Sequence, residues 1–406
     1  MEAEGSFPDV VSHRLQSDRR ENFSVQILRG ESEVLGLEAA WRTLFKRNYI
    51  DSPFCRFEWF SAWWDAFGPK SSCGCRVSNL IAILVRSQGR IVAIAAMHFN
   101  CPAKLSLEPR CLRPVGVLGQ RHSDLTEEPV LLIEQGFQDS VLPVLLHALQ
   151  ELSHDYDIVQ LHFVAEHETK SGQSRTASLL RHGAWHDSSP MLSLSLPDTW
   201  DAYVALQTPK SREHIKRKPA TLRKQCGEFR VELVSPAQTH WAVNELIRLH
   251  RRRAENSEGR TIHIVSQDHR LFYQDYFYQM ASKGLGGIWI LRTEAEVLSA
   301  QSMLMGEREW LLLHSGHADE YAKFSPTVIL QTEVVRQAIA KGVPKIRLHR
   351  FAQEWKLRLG AEVDSYFDQW MMMRRSPTTL ARAAFYAGSR SQRDIPEPAP
   401  PKKPVA

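Results

Sequence analysis

One order of elements occurs twice along this chain of 406 residues, and it limits the fold more than any single motif does. In the first half LIAILVR (80–86) reads as a strand, SQGR turns the chain, and IVAIAAMHF (91–99) returns as a second strand. EPVLLIE (128–134) supplies a third strand, QDSVLPVLLHALQELSH a helix, and DIVQLHFV (157–164) a closing strand. In the second half GIWILRT (287–293), LSAQSMLMG (298–306) and WLLLHSG (310–316) follow one another as strands, then come a helix and KIRLH (345–349). Apolar or alternating runs bounded by turn residues license the strands, and apolar spacing of three and four licenses the helices. The residues hardly repeat, so the shared order points to a structural duplication. The fold class expected is α/β (α+β): two tandem domains, each a mixed, mostly antiparallel sheet flanked by helices.

The boundaries follow from composition. Residues 1–21 are polar and aperiodic, and 376–406 end in the proline-rich SQRDIPEPAPPKKPVA; both are expected to be disordered. Turn chemistry at Pro197-Asp198 divides the remainder into a domain over 22–196 and a second over 197–375. A net charge of +5 suits an anionic ligand without indicating a nucleic-acid protein. No run of 18 apolar residues and no signal-like leader occurs, so no membrane span and a cytoplasmic location are expected. Cys55, Cys73, Cys75, Cys101, Cys111 and Cys226 show no paired CxxC spacing, which leaves reduced thiols and no metal site as the expectation.

Four stretches carry candidate chemistry. SGHADEYAKFSPTVILQTEVVRQAIAKG (315–342) opens on loop residues and becomes an amphipathic helix. Ser325 is placed to cap it with its side chain, Pro326 suits the first helical position, and Lys341-Gly342 end it. Val328, Gln331, Val335 and Ile339 define its packing face, widened by Val334 and Ala338. Free N–H groups at Thr327 and Val328, the helix dipole and Lys323 together make an anion site, although most capped helices hold no ligand. The segment 210–224 carries Lys210, Arg212, Lys216, Arg217, Lys218, Arg223 and Lys224 on a helix expected from Ser211 and broken or kinked at Pro219. It reads either as a contact surface for phosphate or acidic groups or as a solvated face. Arg251 and Arg252 end a second helix, where the dipole already favours cations. His314, at a strand end beside the 315–342 loop, is placed to act as a general base or to be a satisfied structural histidine. The aromatic run at 54–68 reads as core first. No Walker loop, GxSxG elbow or GxGxxG is present.

Several strings together resemble one family. SREHIKRKPATLRKQ (211–225), LIRLHRRRAENSEGR (246–260), HSGHADEYAKFSPTVILQTEVVRQAIAKG (314–342) and RFAQEWKLRLGAE (350–362) resemble, in this order, segments of the CelD/BcsL-like acetyltransferases of the GNAT superfamily. FEWFSAWWDAFG (57–68) looks like that family's early aromatic helix. The resemblance implies two GNAT-like domains in tandem, arranged as in Fem-type aminoacyltransferases. It implies acetyl-CoA or another acyl-CoA as co-substrate, an amine or hydroxyl acceptor, and a link to exopolysaccharide or cell-envelope synthesis with partners from that machinery. It places the donor's pyrophosphate on Gly316, Lys323, Ser325, Thr327 and Val328, and catalytic roles on His314, Glu354 and Lys356. Arg251 and Arg252 would receive an acidic acceptor. Two alternatives stand beside it: a Fem-type transferase using aminoacyl-tRNA, and a catalytically silent scaffold in a polysaccharide-synthesis complex. The family's Gly after Ser-Pro is Thr327 here, and its Tyr-Lys is Trp355-Lys356.

Overall fold

The computed structural model describes residues 15–16, 22–48, 52–69, 77–100, 109–118, 131–165, 185–255, 267–350, 354–374, 377 and 379. The ends expected to be disordered lie outside these residues except at Leu15–Gln16, Pro377 and Thr379, as do Cys73, Cys75 and Cys101. Leu15–Gln16 pair with Asn22–Phe23 as a short strand, which corrects the expectation there. The first half builds β1 (Leu15–Gln16), β2 (Asn22–Arg29), α1 (Glu31–Leu35), α2 (Glu38–Phe45), α3 (Phe57–Phe67), β3 (Val77–Ser87) and β4 (Arg90–Asn100). It continues with β5 (Cys111–Pro114), β6 (Leu131–Ile133), α4 (Gln138–Glu151), β7 (Ile158–Ala165) and β8 (Trp185–Ser195). The second half builds α5 (Trp200–Leu206), α6 (Pro209–Cys226), β9 (Arg230–Leu233), α7 (Thr239–Glu255), α8 (Gln267–Ser282), β10 (Gly286–Arg292) and β11 (Val297–Met305). It closes with β12 (Trp310–His317), α9 (Pro326–Ala340), β13 (Lys345–Arg350), α10 (Glu354–Arg358) and β14 (Glu362–Met373).

The strands form one mixed sheet in the order β1-β2-β3-β4-β5-β7-β14-β8-β13-β12-β11-β10-β9, with β6 beside β5 on β4. The halves trade strands at the join. β14, late in sequence, pairs β7 of the first half, and β8 pairs β13 of the second. A cut at 196/197 therefore separates β8 from the strand it bonds in the second half. The trade joins the two sheets through their inner edges, which would otherwise expose unpaired N–H and C=O groups.

Packing joins the halves as well. Trp59 of α3 lies edge-on between Phe272 and Tyr276 of α8, 4.9 Å from each ring centroid. Around it Trp41, Trp63, Leu246 and Leu304 share a single buried cluster. Glu58, on the same helix, bonds Arg42 at 2.8 Å and Lys283 from the far half. Burial alone would raise the Glu58 carboxyl, but hydrogen bonds from Lys283 and Arg42 outweigh it and hold the group at about 2. The aromatic helix is thus core, as its spacing suggests.

Three expectations need correction. The strand that matches β12 in the first half is β5, not 131–133: β5 pairs β7 in parallel, while β6 pairs only β4. The basic helix begins at Pro209, where Thr208 Oγ1 accepts from Ser211 N at 3.2 Å, and it runs through Pro219 unbroken. Ile215 and buried Leu222 pin it on either side of the proline to the α9 core. The packing face of α9 is the expected one at Gln331, Val334, Val335, Ala338 and Ile339, but at its start Ile329 and Leu330 are buried where Val328 was expected, and Val328 is only half-buried.

Candidate active site

The site is built by a strand pair that parts. β12 and β13 pair in parallel only at Trp310–Ile346 and Leu311–Arg347. The next step of β12 against β11 runs from Met303–Leu312 to Ser302–His314, so Leu313 is an extra, bulged residue. A bulge bends its strand and ends regular pairing. β13 carries its own irregularity between Arg347 and Arg350, with His349 at φ 64° in the left-handed region. Beyond these two points the facing edges of β12 and β13 separate into a wedge. Lys356 Nζ, buried on α10, donates to the Arg350 carbonyl at 2.7 Å and to that of His349 at 3.4 Å. The amine thereby holds the irregular end of β13 in place.

On one face of the wedge, α7 and α8 cover β12. His314 Nε2 lies 2.6 Å from the Tyr273 hydroxyl, and Ser302 Oγ accepts from His314 N at 3.0 Å. The imidazole sits edge-on to Tyr273, with ring centroids 5.1 Å apart, and 5.8 Å from His250. His250 Nδ1 meets the Ser315 carbonyl at 3.4 Å; since a carbonyl only accepts, the proton is on Nδ1. Gly316 is explained by this packing: an added Cβ would stand 2.7 Å from His250 N and 2.8 Å from Leu249 Cβ. Its expected place in a phosphate cradle is therefore not what requires glycine there.

On the other face lies the start of α9. Ser325 occupies the cap position, but at φ 58°, ψ 53° its side chain makes no cap bond. Its carbonyl accepts from Val328 N at 3.0 Å and Ile329 N at 3.2 Å. Pro326 at the first helical position and a short 3-10 helix over Asp319–Phe324 bring the chain in on a left-handed turn, which moves the hydroxyl off the axis. The anion site expected of Ser325 Oγ and Val328 N–H is thus reduced to Thr327 N–H, which no acceptor meets among the described residues. Thr327 does more than stand in for glycine. Its hydroxyl lies 3.0 Å from His317 Nδ1 and 3.5 Å from Ser299 Oγ, and its carbonyl accepts from Gln301 Nε2 at 3.5 Å. Gln301 and Gln331 are fully buried beside it, with Gln301 Oε1 and both amide atoms of Gln331 unpartnered. Polar groups buried in this way call for a ligand or water.

The remaining expected residues divide. Exposed Lys323 stacks its amine 4.9 Å over Phe324, and its carbonyl accepts from Lys218 Nζ at 2.9 Å. That bond brings the basic helix α6 against the turn that starts α9, an adjacency the sequence did not show. Arg252 pairs with Glu320 at 3.6 Å, so the end of α7 reaches the same turn, and Arg251 is half-buried beside it. Glu354 opens α10, and its side chain lies outside the described residues. Reasoning from sequence missed Tyr273, His250 and Ser302. Tyr273 was hidden among the aromatics of a helix that otherwise packs core, and only the fold sets it against His314. Among the described residues no group of His, Cys, Asp and Glu is arranged to hold a metal ion, and no helix is long and apolar enough to cross a membrane.

Residues 209–357 match the acetyltransferase (GNAT) domain family. The whole fold is similar to a crystal structure of FemX, with TM-score 0.55 at 11% identity over 84% of this chain and 96% of that one. It is also similar to a conserved protein of unknown function from Bacteroides thetaiotaomicron VPI-5482, with TM-score 0.51 at 7% identity over 83% and 97%. A tandem GNAT protein from the clavulanic acid biosynthesis pathway aligns at TM-score 0.47 and 15% identity over 86% and 98%. No curated protein sequence matches the chain.

Proposed function

We propose that this protein is an acyl-CoA-dependent acyltransferase, with acetyl-CoA as the donor and an amine or hydroxyl as the acceptor. The observation that carries the reading is the wedge at the Leu313 bulge, which connects the α9 start on one face to the Tyr273–His314 pair on the other. The donor fits the residues present. Thr327 N–H and Lys323, at the start of α9, would hold its pyrophosphate, and Gln301 Oε1 and the Gln331 amide lie buried and unpartnered under the same helix start. From 312 onward the β12 edge turned toward β13 has no partner strand among the described residues, which leaves backbone groups for an amide-bearing arm.

When bound, the donor would supply an acyl group activated as a thioester. The chain's own residues then handle the proton. An acceptor approaching from the α7–α8 face would meet the Tyr273–His314 pair: its proton would pass to the Tyr273 oxygen as Tyr273 gives its own to His314 Nε2, and the same pair would return one proton to the thiolate released when the new acyl bond forms and the C–S bond breaks. His250 supports this geometry by tying α7 to the β12 backbone at Ser315. Lys356 acts on position rather than chemistry. Arg251 and Arg252, at the rim, favour an acidic acceptor, and Glu354 remains a candidate second base. Kinship with the CelD/BcsL-like proteins, a cytoplasmic location and a place in envelope or exopolysaccharide synthesis belong to the same proposal. So does the division into a domain over 22–196 and an acyltransferase domain over 197–375.

Thermal unfolding with acetyl-CoA and CoA tests it. A ligand held only by the folded state adds about 2.7 kcal/mol at a hundredfold excess over its dissociation constant. We expect such a shift in the parent and its loss in Thr327→Glu; no shift with either ligand overturns the reading. The likeness to FemX and the cations on α6 favour one second reading, an aminoacyl-tRNA donor. Steeply salt-dependent RNA binding together with no response to acetyl-CoA would select it.

A further inference from the structure

A groove of 240 Å³ runs between α6 and α9, on the side of α9 toward the β9 edge of the sheet. Its floor is apolar, made by Ile215, Pro219, Phe229, Val231 and Ile329. Its rim is cationic: Lys218 and Arg223 from α6 face Arg336 from α9. Among the described residues Glu333 is the one acidic residue in the lining, and it already pairs with Arg336 at 3.2 Å. The guanidinium groups lie flat, Arg223 4.7 Å over Phe229 and Arg336 4.5 Å over Trp200; Arg223 Nε pairs with Glu228 at 3.2 Å and Arg336 Nη1 with Glu333, and the remaining N–H groups of each fork are left for the rim. Lys218 reaches from the groove to the carbonyl of Lys323, which places the cationic end of the groove beside the first turn of α9.

From this geometry we infer that the α6–α9 groove binds a nucleoside phosphate, its base on the Pro219–Phe229 floor and its phosphates against Lys218, Arg223 and Arg336. The combination selects the class. A bare anion has no use for an apolar floor of this size, and an apolar ligand has no use for three cations at its edge. Flat bases stack on aromatic faces and on guanidinium planes, and phosphate oxygens take paired N–H donors. His214 lines the same groove and titrates below an ordinary histidine, first through desolvation and then through the positive field of Lys218, Arg217 and Lys210. Pro219 also gains a reason: a ring in mid-helix costs a backbone bond, and here it gives the floor a flat, rigid patch beside Phe229.

Two sources share this chemistry, the nucleotide end of a CoA ester and a free nucleotide. The inference does not rest on acyl transfer, because binding is measured without any acyl donor. The experiment is calorimetric titration of the full chain with adenosine 3′,5′-bisphosphate, ADP and inorganic pyrophosphate, repeated with CoA present. We expect the two nucleotides to bind more tightly than pyrophosphate, and Lys218→Glu and Arg336→Gln each to weaken them about tenfold or more. Lys216→Glu and Lys224→Glu, on the same helix but off the groove, should change binding by less than about twofold. Displacement of the bisphosphate by CoA would assign the groove to the donor's nucleotide, and binding of ADP undisturbed by CoA would assign it to a separate nucleotide. Absence of nucleotide binding overturns the inference. So does an equal loss in the on-groove and off-groove variants, which would reduce the effect to diffuse charge. If ADP binds while acetyl-CoA does not, the acyltransfer reading fails and the groove stands.

Discussion

The two halves contain the same wedge and furnish it differently. In the first half β5 and β7 pair in parallel only at Cys111–Ile158 and Leu112–Val159, two rungs, as β12 and β13 do. Beyond them the gap is closed by Met97, Pro114, Leu142, Leu145 and Leu161, which leave 30 Å³, room for little more than a water molecule. Among the described residues the only titratable group lining it is His162, deeply buried, its pKa pushed down to about 3 by burial and then by Arg350 and Arg113. The helix that follows, α4, carries Asp139 in its first turn, whereas α9 has no acidic residue there and has Lys218 and Lys323 nearby. The first-turn carboxylate satisfies the helix dipole internally and repels an anion. A duplicated topology therefore supplies two wedges, and side-chain chemistry makes one a filled core and the other a candidate site.

The largest test breaks the connection between the halves. Trp59→Ala removes a fully buried ring between Phe272 and Tyr276 and should cost about 3–5 kcal/mol in urea unfolding. If the halves are one cooperative unit, fluorescence from both should move together; two separated transitions would show that they fold independently.

The next test compares the histidines of the two wedges. His314→Gln should lower kcat by about a hundredfold or more, as expected for loss of a proton-transfer group. His162→Gln, assayed well below its unfolding temperature, should leave kcat within about twofold, because a neutral buried histidine in a closed gap reaches no substrate. The reverse result would move the site to the first half.

The helix starts offer a smaller contrast. Thr327→Val deletes the hydroxyl bond to His317 while keeping the shape of the side chain, and should weaken donor binding about fivefold. Asp139→Asn at the start of α4 should leave donor affinity unchanged, measured in the same titration.

A last contrast, between the two halves across Glu58 and Lys283, concerns pH. The folded Glu58 carboxyl, at about 2, lies below the ordinary value of 4.5, so its stabilising contribution is full above pH 4.5 and is lost as pH falls toward 2. Glu58→Gln should flatten the stability profile across that window, and a profile parallel to the parent's would remove the Glu58–Lys283 link from the account.

Much of this architecture was legible. The strands and helices of both copies lie within a few residues of their apolar runs, because periodicity reports burial directly. The Schellman turn at the end of α9 is another case, with Gly342 at φ 70° and Val343 N donating to Ala338 O at 3.0 Å, as Lys341-Gly342 implied. The start of the same helix was misread, since a serine before a proline describes a cap only if its backbone is extended, and here it is left-handed.

By itself, then, the sequence determined the apolar strands and helices of each copy and their repeated order, since each depends on neighbours along the chain. Tertiary structure alone decided that β8 and β14 change places, that Leu313 bulges out and parts the sheet, that Tyr273 meets His314, and that the basic helix lies against the turn leading into α9. Those outcomes depend on partners 41 residues apart in one case and 105 in another, and no local pattern encodes which distant edge or side chain completes a contact.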